Sequence, residues 1–299
     1  MQVPRQEIPP RVIFNGVRTS LAPRRKSHAD KAVHVRKLAS PAPTRNFAYG
    51  STVDAVAFQP NGTLLAAAGH DGKVRFFDLV KNAQAKEISA HIRMVQKNNV
   101  PQPVYSLTFS PDGKQLLTSS YDNSIKLWDV PSGNLIREFK PYTLKDFEKG
   151  HQEPVYTAAF SPDGKFIASG SSGLERTIKI WNLGDGSVAR DLANPNYKTA
   201  PMFPPASHPG AVTNLRFTKD GKYLISVGDA PGNKGFLAVW DWQAGKMVAS
   251  DTMQLGVFYG LALAPNEKSL AVGAGNRDRK FASPDFNAAY LLKLPMIRK

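Results

Sequence analysis

An all-β fold of repeated four-stranded antiparallel sheets, a β-propeller, is what this 299-residue sequence predicts. Three observations carry the prediction. A turn signal recurs five times, at intervals of 51, 51, 57 and 46 residues. Runs of β-branched and aromatic residues keep fixed offsets from that signal, and they are too short for helices.

The turn copies are Phe58-Gln59-Pro60-Asn61-Gly62, Phe109-Ser110-Pro111-Asp112-Gly113, Phe160-Ser161-Pro162-Asp163-Gly164, Phe217-Thr218-Lys219-Asp220-Gly221 and the decayed Leu263-Ala264-Pro265-Asn266-Glu267. Proline presets φ, Asn or Asp tolerates the left-handed region and glycine occupies it freely, so each copy predicts a reversal between two strands. Val53, Val104, Val155, Val212 and Phe258 mark the first strand of each unit, and Leu65, Leu116, Ile167, Leu224 and Leu270 the second. Third strands are predicted at 74–78, 125–129, 178–182, 237–241 and 289–293. A fourth follows a Gly-containing turn in several copies, as in Ser132-Gly133 before Leu135 to Phe139. One such sheet cannot bury both its faces alone, so the units must stack on one another.

The expected organisation is a basic leader over 1–31, largely flexible, and a propeller over 32–299, with repeats near 53–90, 104–140, 155–192, 212–251 and 258–294. The last unit lacks a fourth strand in its own sequence, and an unpaired edge must be managed. The expectation is that residues 32–38 supply that strand and close the ring. The alternatives are a truncated chain or completion by another copy.

Trp128-Asp129 and Trp240-Asp241 at the ends of third strands, the variants Trp181-Asn182 and Phe77-Asp78, and Gly150-His151 ahead of Val155 resemble the WD-repeat family over about residues 50–295. The regular Ser-Pro-Asp-Gly-Lys turns look like its bacterial members. The resemblance implies a buried hydrogen-bonded set in each unit, built from a His before the first strand, a Ser or Thr on the second, an Asp in the next turn and the Trp. By position His151, Ser169 and Trp181 fit it in the third unit, Asp122 and Trp128 in the second, and Asp71, Trp240 and Asp241 elsewhere. The second unit has no Gly-His just before Val104, and Leu174-Glu175-Arg176 stands where the third unit's Asp belongs.

Chemistry is bounded by what is missing. With no cysteine there is no disulfide, thiol nucleophile or thiolate metal site. No histidine pair has ligand spacing on one element, no serine sits in a Gly-x-Ser-x-Gly elbow, and no Gly-rich stretch leads into Gly-Lys-Ser/Thr. The expectation is no enzyme, no cofactor and no metal. No apolar run approaches the length of a membrane span and no secretory signal is seen, so the expected location is cytoplasmic.

Binding is the remaining function class. The gaps between second and third strands run 5, 5, 7, 9 and 15 residues, and the segments 91–103 and 193–210 are also long. In an antiparallel meander these two loop types leave from one edge, so the insertions gather on one face, where recognition residues usually lie. Four residues before the conserved-offset Phe or Leu stand Asp54, Tyr105, Tyr156, Thr213 and Tyr259, at the mouth of the first strands. Tyr105, Tyr156 and Tyr259 offer apolar area with a hydroxyl, as interfaces do, though rings here could equally pack between sheets. Arg93, Arg277, Arg279 and Lys280 add cations to that face. The charge of +15 is uneven: ten cations and two carboxylates over residues 1–48 leave +8 there, with Arg24-Arg25-Lys26 the one tight cluster. The function expected is a scaffold that holds a peptide or partner domain on the long-loop face. The alternatives are nucleic-acid or ribonucleoprotein binding through the basic arm, or service as the propeller module of a larger protein.

Overall fold

Ser110 illustrates how the recurring turn closes. Its hydroxyl donates to Asp112 Oδ1 at 2.5 Å, Asp112 accepts the Lys114 amide at 3.0 Å, and Gly113, at φ 71°, donates its amide to the Ser110 carbonyl at 2.9 Å. Ser161 with Asp163, and Thr218 with Asp220, repeat the hydroxyl-to-carboxylate bond at 2.5 and 2.6 Å. The local chemistry of four residues therefore sets these three hairpins, as Asp and Gly require at such positions.

A computed structural model describes residues 31–35, 45–60, 62–139, 150–197, 205–275 and 288–294. Among them the regular elements are all strands. β1 (Ala32–Val35) and β2 (Arg45–Ala48) form a two-stranded ribbon. The first sheet is β3 (Val53–Phe58), β4 (Leu64–Gly69), β5 (Lys73–Asp78) and β6 (Ala83–Ser89). A hairpin of β7 (Ile92–Val95) and β8 (Asn98–Pro101) follows. The second sheet is β9 (Val104–Phe109), β10 (Gln115–Ser120), β11 (Ile125–Asp129) and β12 (Leu135–Phe139). The third is β13 (Val155–Phe160), β14 (Phe166–Ser171), β15 (Ile178–Asn182) and β16 (Val188–Leu192). The fourth is β17 (Val212–Phe217), β18 (Tyr223–Ala230), β19 (Lys234–Asp241) and β20 (Lys246–Met253), and the fifth β21 (Val257–Leu263), β22 (Ser269–Gly275) and β23 (Ala289–Lys293). Each is an antiparallel meander in chain order, the blade of a β-propeller.

The chain divides into two units. One holds the described residues up to Ile167 together with Trp181–Val188, the other Ala168–Ile180 and the described residues from Ala189 onward. In the first unit the cores lie between successive sheets. Ala66, Val74 and Phe76 of the first sheet meet Val104, Leu107 and Trp128 of the second, whose Leu117, Leu127 and Phe139 in turn meet Val155, Ala158 and Trp181. In the second unit Val227, Leu237 and Val239 meet Phe258, Leu270 and Leu292. Alternation along each strand puts successive residues on opposite faces, so one strand feeds both neighbouring cores.

Two expectations are corrected. Among the described residues β1 pairs with β2, Val33 opposite Phe47, and the fifth sheet holds three strands; residues 36–38 of the proposed closing strand lie outside the described residues. The apolar side of the ribbon explains its choice: Val33, Phe47 and Tyr49 pack on Leu65, Ala67 and Phe77 of the first sheet, with Phe47 and Phe77 stacked at 4.7 Å. The ribbon thus covers the first sheet's outer face as a neighbouring sheet would. The nine-residue gap of the fourth unit is not an open loop either, because β18 and β19 run on in register to Ala230 opposite Lys234.

Candidate functional site

The second sheet carries a complete buried relay. Trp128 Nε1 donates to Thr118 Oγ1 at 3.0 Å, Thr118 Oγ1 lies 2.8 Å from His91 Nε2, and His91 Nδ1 lies 2.9 Å from Asp122 Oδ2. Burial lowers the pKa of His91, so its neutral form fits: Nδ1–H donates to the carboxylate and Nε2 accepts from the threonine. Burial pushes the Asp122 carboxyl up, but the His91 imidazole and the Ser124 hydroxyl and amide outweigh that and hold it below the ordinary range. His91 was not legible because the β7–β8 hairpin stands between it and Val104; the Gln102 amide returns to the His91 carbonyl at 2.9 Å and restores the path of the chain.

The other sheets vary the relay in consistent ways. In the third, Glu175 replaces the expected Asp: it is fully buried and accepts from Thr177 Oγ1 at 2.8 Å, as Asp122 accepts from Ser124 two residues on. Lys179 Nζ lies 4.0 Å from it and 3.0 Å from Asp191. His151 is buried with its ring 6.0 Å from that of Trp181, and Ser169 is buried on β14. In the fourth, Trp240 Nε1 donates to Ser226 Oγ at 2.9 Å, which lies 2.7 Å from His208 Nε2; Asp241 caps the following turn by accepting the Ala244 amide. In the first sheet Phe77 and Ala67 replace the indole and hydroxyl together, which leaves no polar group orphaned.

Tyr49 takes the histidine's place there. Its hydroxyl lies 3.0 Å from Asp71 Oδ1 and 2.8 Å from the Lys73 carbonyl, and Arg75 Nη1 donates to Asp71 Oδ2 at 2.6 Å. Asp71 keeps the arginine and the Lys73 amide when the hydroxyl is removed, so Tyr49→Phe is expected to lower stability by about 1 kcal/mol, read from the urea midpoint.

One end of the sheets gathers the two loop types. His70 N donates to Thr52 O, Tyr121 N to Pro103 O and Asp229 N to Ala211 O, at 3.0 to 3.2 Å. In the first, second and fourth sheets these bonds tie the turn between second and third strands to the segment that enters the first strand. At this end of the first unit Tyr105, on β9, meets Tyr156, on β13, with centroids 4.9 Å apart and planes at 79°. Tyr121, missed in the sequence because it lies in a turn, meets Tyr105 at 6.4 Å and 82°, and is 52% exposed. Asp54 holds the equivalent position on β3, buried, with Oδ2 3.2 Å from His70 Nε2, and its charge acts on Tyr105.

Tyr259 holds the corresponding position on β21, half-buried. Arg93 is exposed on β7, in a hairpin whose eight strand residues are all exposed, Met94 by 73%. Arg277, Arg279 and Lys280, and the basic-arm residues Arg24, Arg25 and Lys26, lie outside the described residues. In the second unit Arg176, Pro209, Asp229 and Asn233 line an open cleft of about 420 Å³. Among the described residues no cluster of three His, Asp or Glu side chains could hold a metal, and no helix is long and apolar enough to cross a membrane.

Sheets of this topology with a Trp-hydroxyl-His-carboxylate relay define a class, the propellers built from WD repeats, and the chain carries WD repeats in three places. The "WD domain, G-beta repeat" family matches residues 42–78, 92–129 and 142–182. The chain is similar to Periodic tryptophan protein 2 of Arabidopsis thaliana, 31% identical over 56% of the chain and 17% of that protein. It is also similar to Protein tipD of Dictyostelium discoideum, 30% identical over 52% and 22%, and Actin-interacting protein 1 of Drosophila melanogaster, 28% identical over 46% and 27%. The matched part thus spans 17% to 27% of these relatives. WD-repeat propellers are generally interaction modules without catalysis of their own.

Proposed function

We propose that this chain is a non-catalytic platform that holds a partner peptide or domain at the end of its sheets where the long loops gather. The observation that carries the reading is the cluster of Tyr105, Tyr121 and Tyr156, amphipathic rings in contact with Tyr121 exposed, together with the exposed hairpin of Arg93 and Met94 that leads into β9. Rigid aromatic side chains bury area at small entropic cost, which suits an anchor. A cytoplasmic location and a place within a larger assembly go with this reading.

Affinity capture by the intact chain tests it. Tyr121→Ala, which removes an exposed ring and leaves the cores alone, is expected to lose a captured protein by about tenfold or more. An unchanged captured set from Tyr121→Ala and from a chain lacking the β7–β8 hairpin would remove the face from consideration. The +8 charge of residues 1–48 favours a second reading, RNA binding by the leader. That reading expects salt-dependent retention on RNA that is lost without residues 1–31, and no retention at low salt eliminates it.

A further inference from the structure

We propose that Asp54, Tyr105, Tyr121 and Tyr156 form a receptor for one cationic side chain, a lysine or arginine presented by the docked partner. The proposal rests on the platform reading above and names the chemistry of its anchor. It begins with a carboxylate in an unusual place. Asp54 is the second residue of β3 and its side chain is 6% exposed, yet among the described residues it accepts no hydrogen bond, and its Oδ2 is buried. His70 Nε2 stands 3.2 Å from Oδ2 but is not aligned as a hydrogen bond. Two other carboxylates of the sheets are differently treated: Asp71 and Asp122 each collect two or more donors. A buried carboxylate with no donor is costly, and a cation that supplies one relieves the cost.

The rings suit the same ligand, and Tyr105 lies close enough to Asp54 to feel its charge. Tyr121 and Tyr156 both stand nearly perpendicular to Tyr105, and the three hydroxyls make no hydrogen bond with the described residues. Ring faces are the negative pole of the aromatic quadrupole, so an ammonium or guanidinium gains from the rings and from the carboxylate together. A neutral aliphatic side chain would cover the rings and leave Asp54 unpaired, and an acidic one would be repelled. A bare metal ion would need further carboxylates that the cluster does not have.

Burial raises the Asp54 carboxyl to about 6, with His70 opposing the shift. The titratable groups that face it are His70, in the β4–β5 turn, and Tyr105, on β9, whose hydroxyl burial keeps protonated. Cation binding therefore weakens as pH falls through about 6 and Asp54 takes up a proton.

The experiment uses the full chain with labelled tyrosine rings, observed by NMR during titration with four tripeptide amides: acetyl-Gly-Lys-Gly, its Arg, norleucine and Glu counterparts. Saturable shifts of the Tyr105, Tyr121 and Tyr156 rings are expected with Lys and Arg alone. Asp54→Asn is expected to weaken them about tenfold, while His70→Ala, which keeps the carboxylate, retains them. Equal shifts from norleucine, no saturable shift up to about 20 mM Lys or Arg peptide, or an Asp54→Asn protein of unchanged affinity would overturn the proposal. Unchanged amide spectra in both variants exclude misfolding as the cause. Loss of this receptor with protein capture intact leaves the platform reading standing on another anchor; tripeptide binding with no captured protein does the reverse.

Discussion

Replacing His91 by alanine lowers the stability of the chain by about 3 kcal/mol, a shift to be read from the urea midpoint at constant slope. The residue is fully buried, and two neighbours depend on it: Asp122 loses the imidazole donor and Thr118 loses its acceptor while Trp128 still donates to it. A partner removed from a buried network costs the desolvation of what remains, which exceeds the net worth of one hydrogen bond. A fall under about 1 kcal/mol would mean that water fills the vacancy and that the relay contributes little.

Acid acts on the same groups, and its sign follows from the directions of their shifts. His91 and His208 have folded-state pKa values depressed by burial, His208 from 6.5 to about 3. Below about pH 6.5 the unfolded chain therefore takes up protons that the folded chain refuses, and stability falls by as much as about 1.4 kcal/mol per pH unit for His208 alone. Asp122, also depressed, adds to the loss only below about pH 4, where the unfolded carboxylate protonates. Urea midpoints at pH 7, 6 and 5 are expected to decline steadily; a flat profile would contradict the neutral buried imidazoles.

Gly69→Ala and Gly228→Ala are each expected to cost about 3 kcal/mol or more. A Cβ at Gly69 would stand 1.8 Å from the Thr52 carbonyl oxygen, and one at Gly228 1.9 Å from that of Ala211 and 3.0 Å from His208 Nδ1. Backbone cannot yield as a flexible side chain can, so the strand end must open, and with it the loop end of the sheet. Ser120 ends the second strand of its own sheet at the corresponding place, where its hydroxyl donates to Pro103 O at 2.7 Å. Ser120→Gly therefore loses about 1 kcal/mol, from one hydrogen bond and added chain entropy. Thermal unfolding of the three variants separates the two outcomes. Equal, small effects at all three positions would show that the strand ends are looser than described.

What was readable in the chain and what was not divides by range. Third strands came close to their observed limits, 125–129 and 289–293 among them, because β-branched runs and turn residues act within a few positions. The partners of the relay did not. His91 reaches Thr118 across an inserted hairpin, so spacing from Val104 hid it; Glu175 does the work of an aspartate because one extra methylene is absorbed by a different loop. Tyr105 and Tyr156 were legible from a repeated strand position. Tyr121 was not, because only the folded turn brings it to Tyr105, and nothing local signals that Asp54 lies buried without a hydrogen bond.

The sequence by itself determined the repeat, its strands and its turns, since each depends on backbone preferences and side-chain alternation over a handful of residues. Tertiary structure decided which residues complete each relay, that β1 joins β2 over the first sheet, and which rings and carboxylate share one site. Those choices depend on which apolar faces must be covered and which buried polar atoms must be paired. Both are long-range demands, and residues more than 30 positions apart in the chain, such as His91 and Asp122, meet them together.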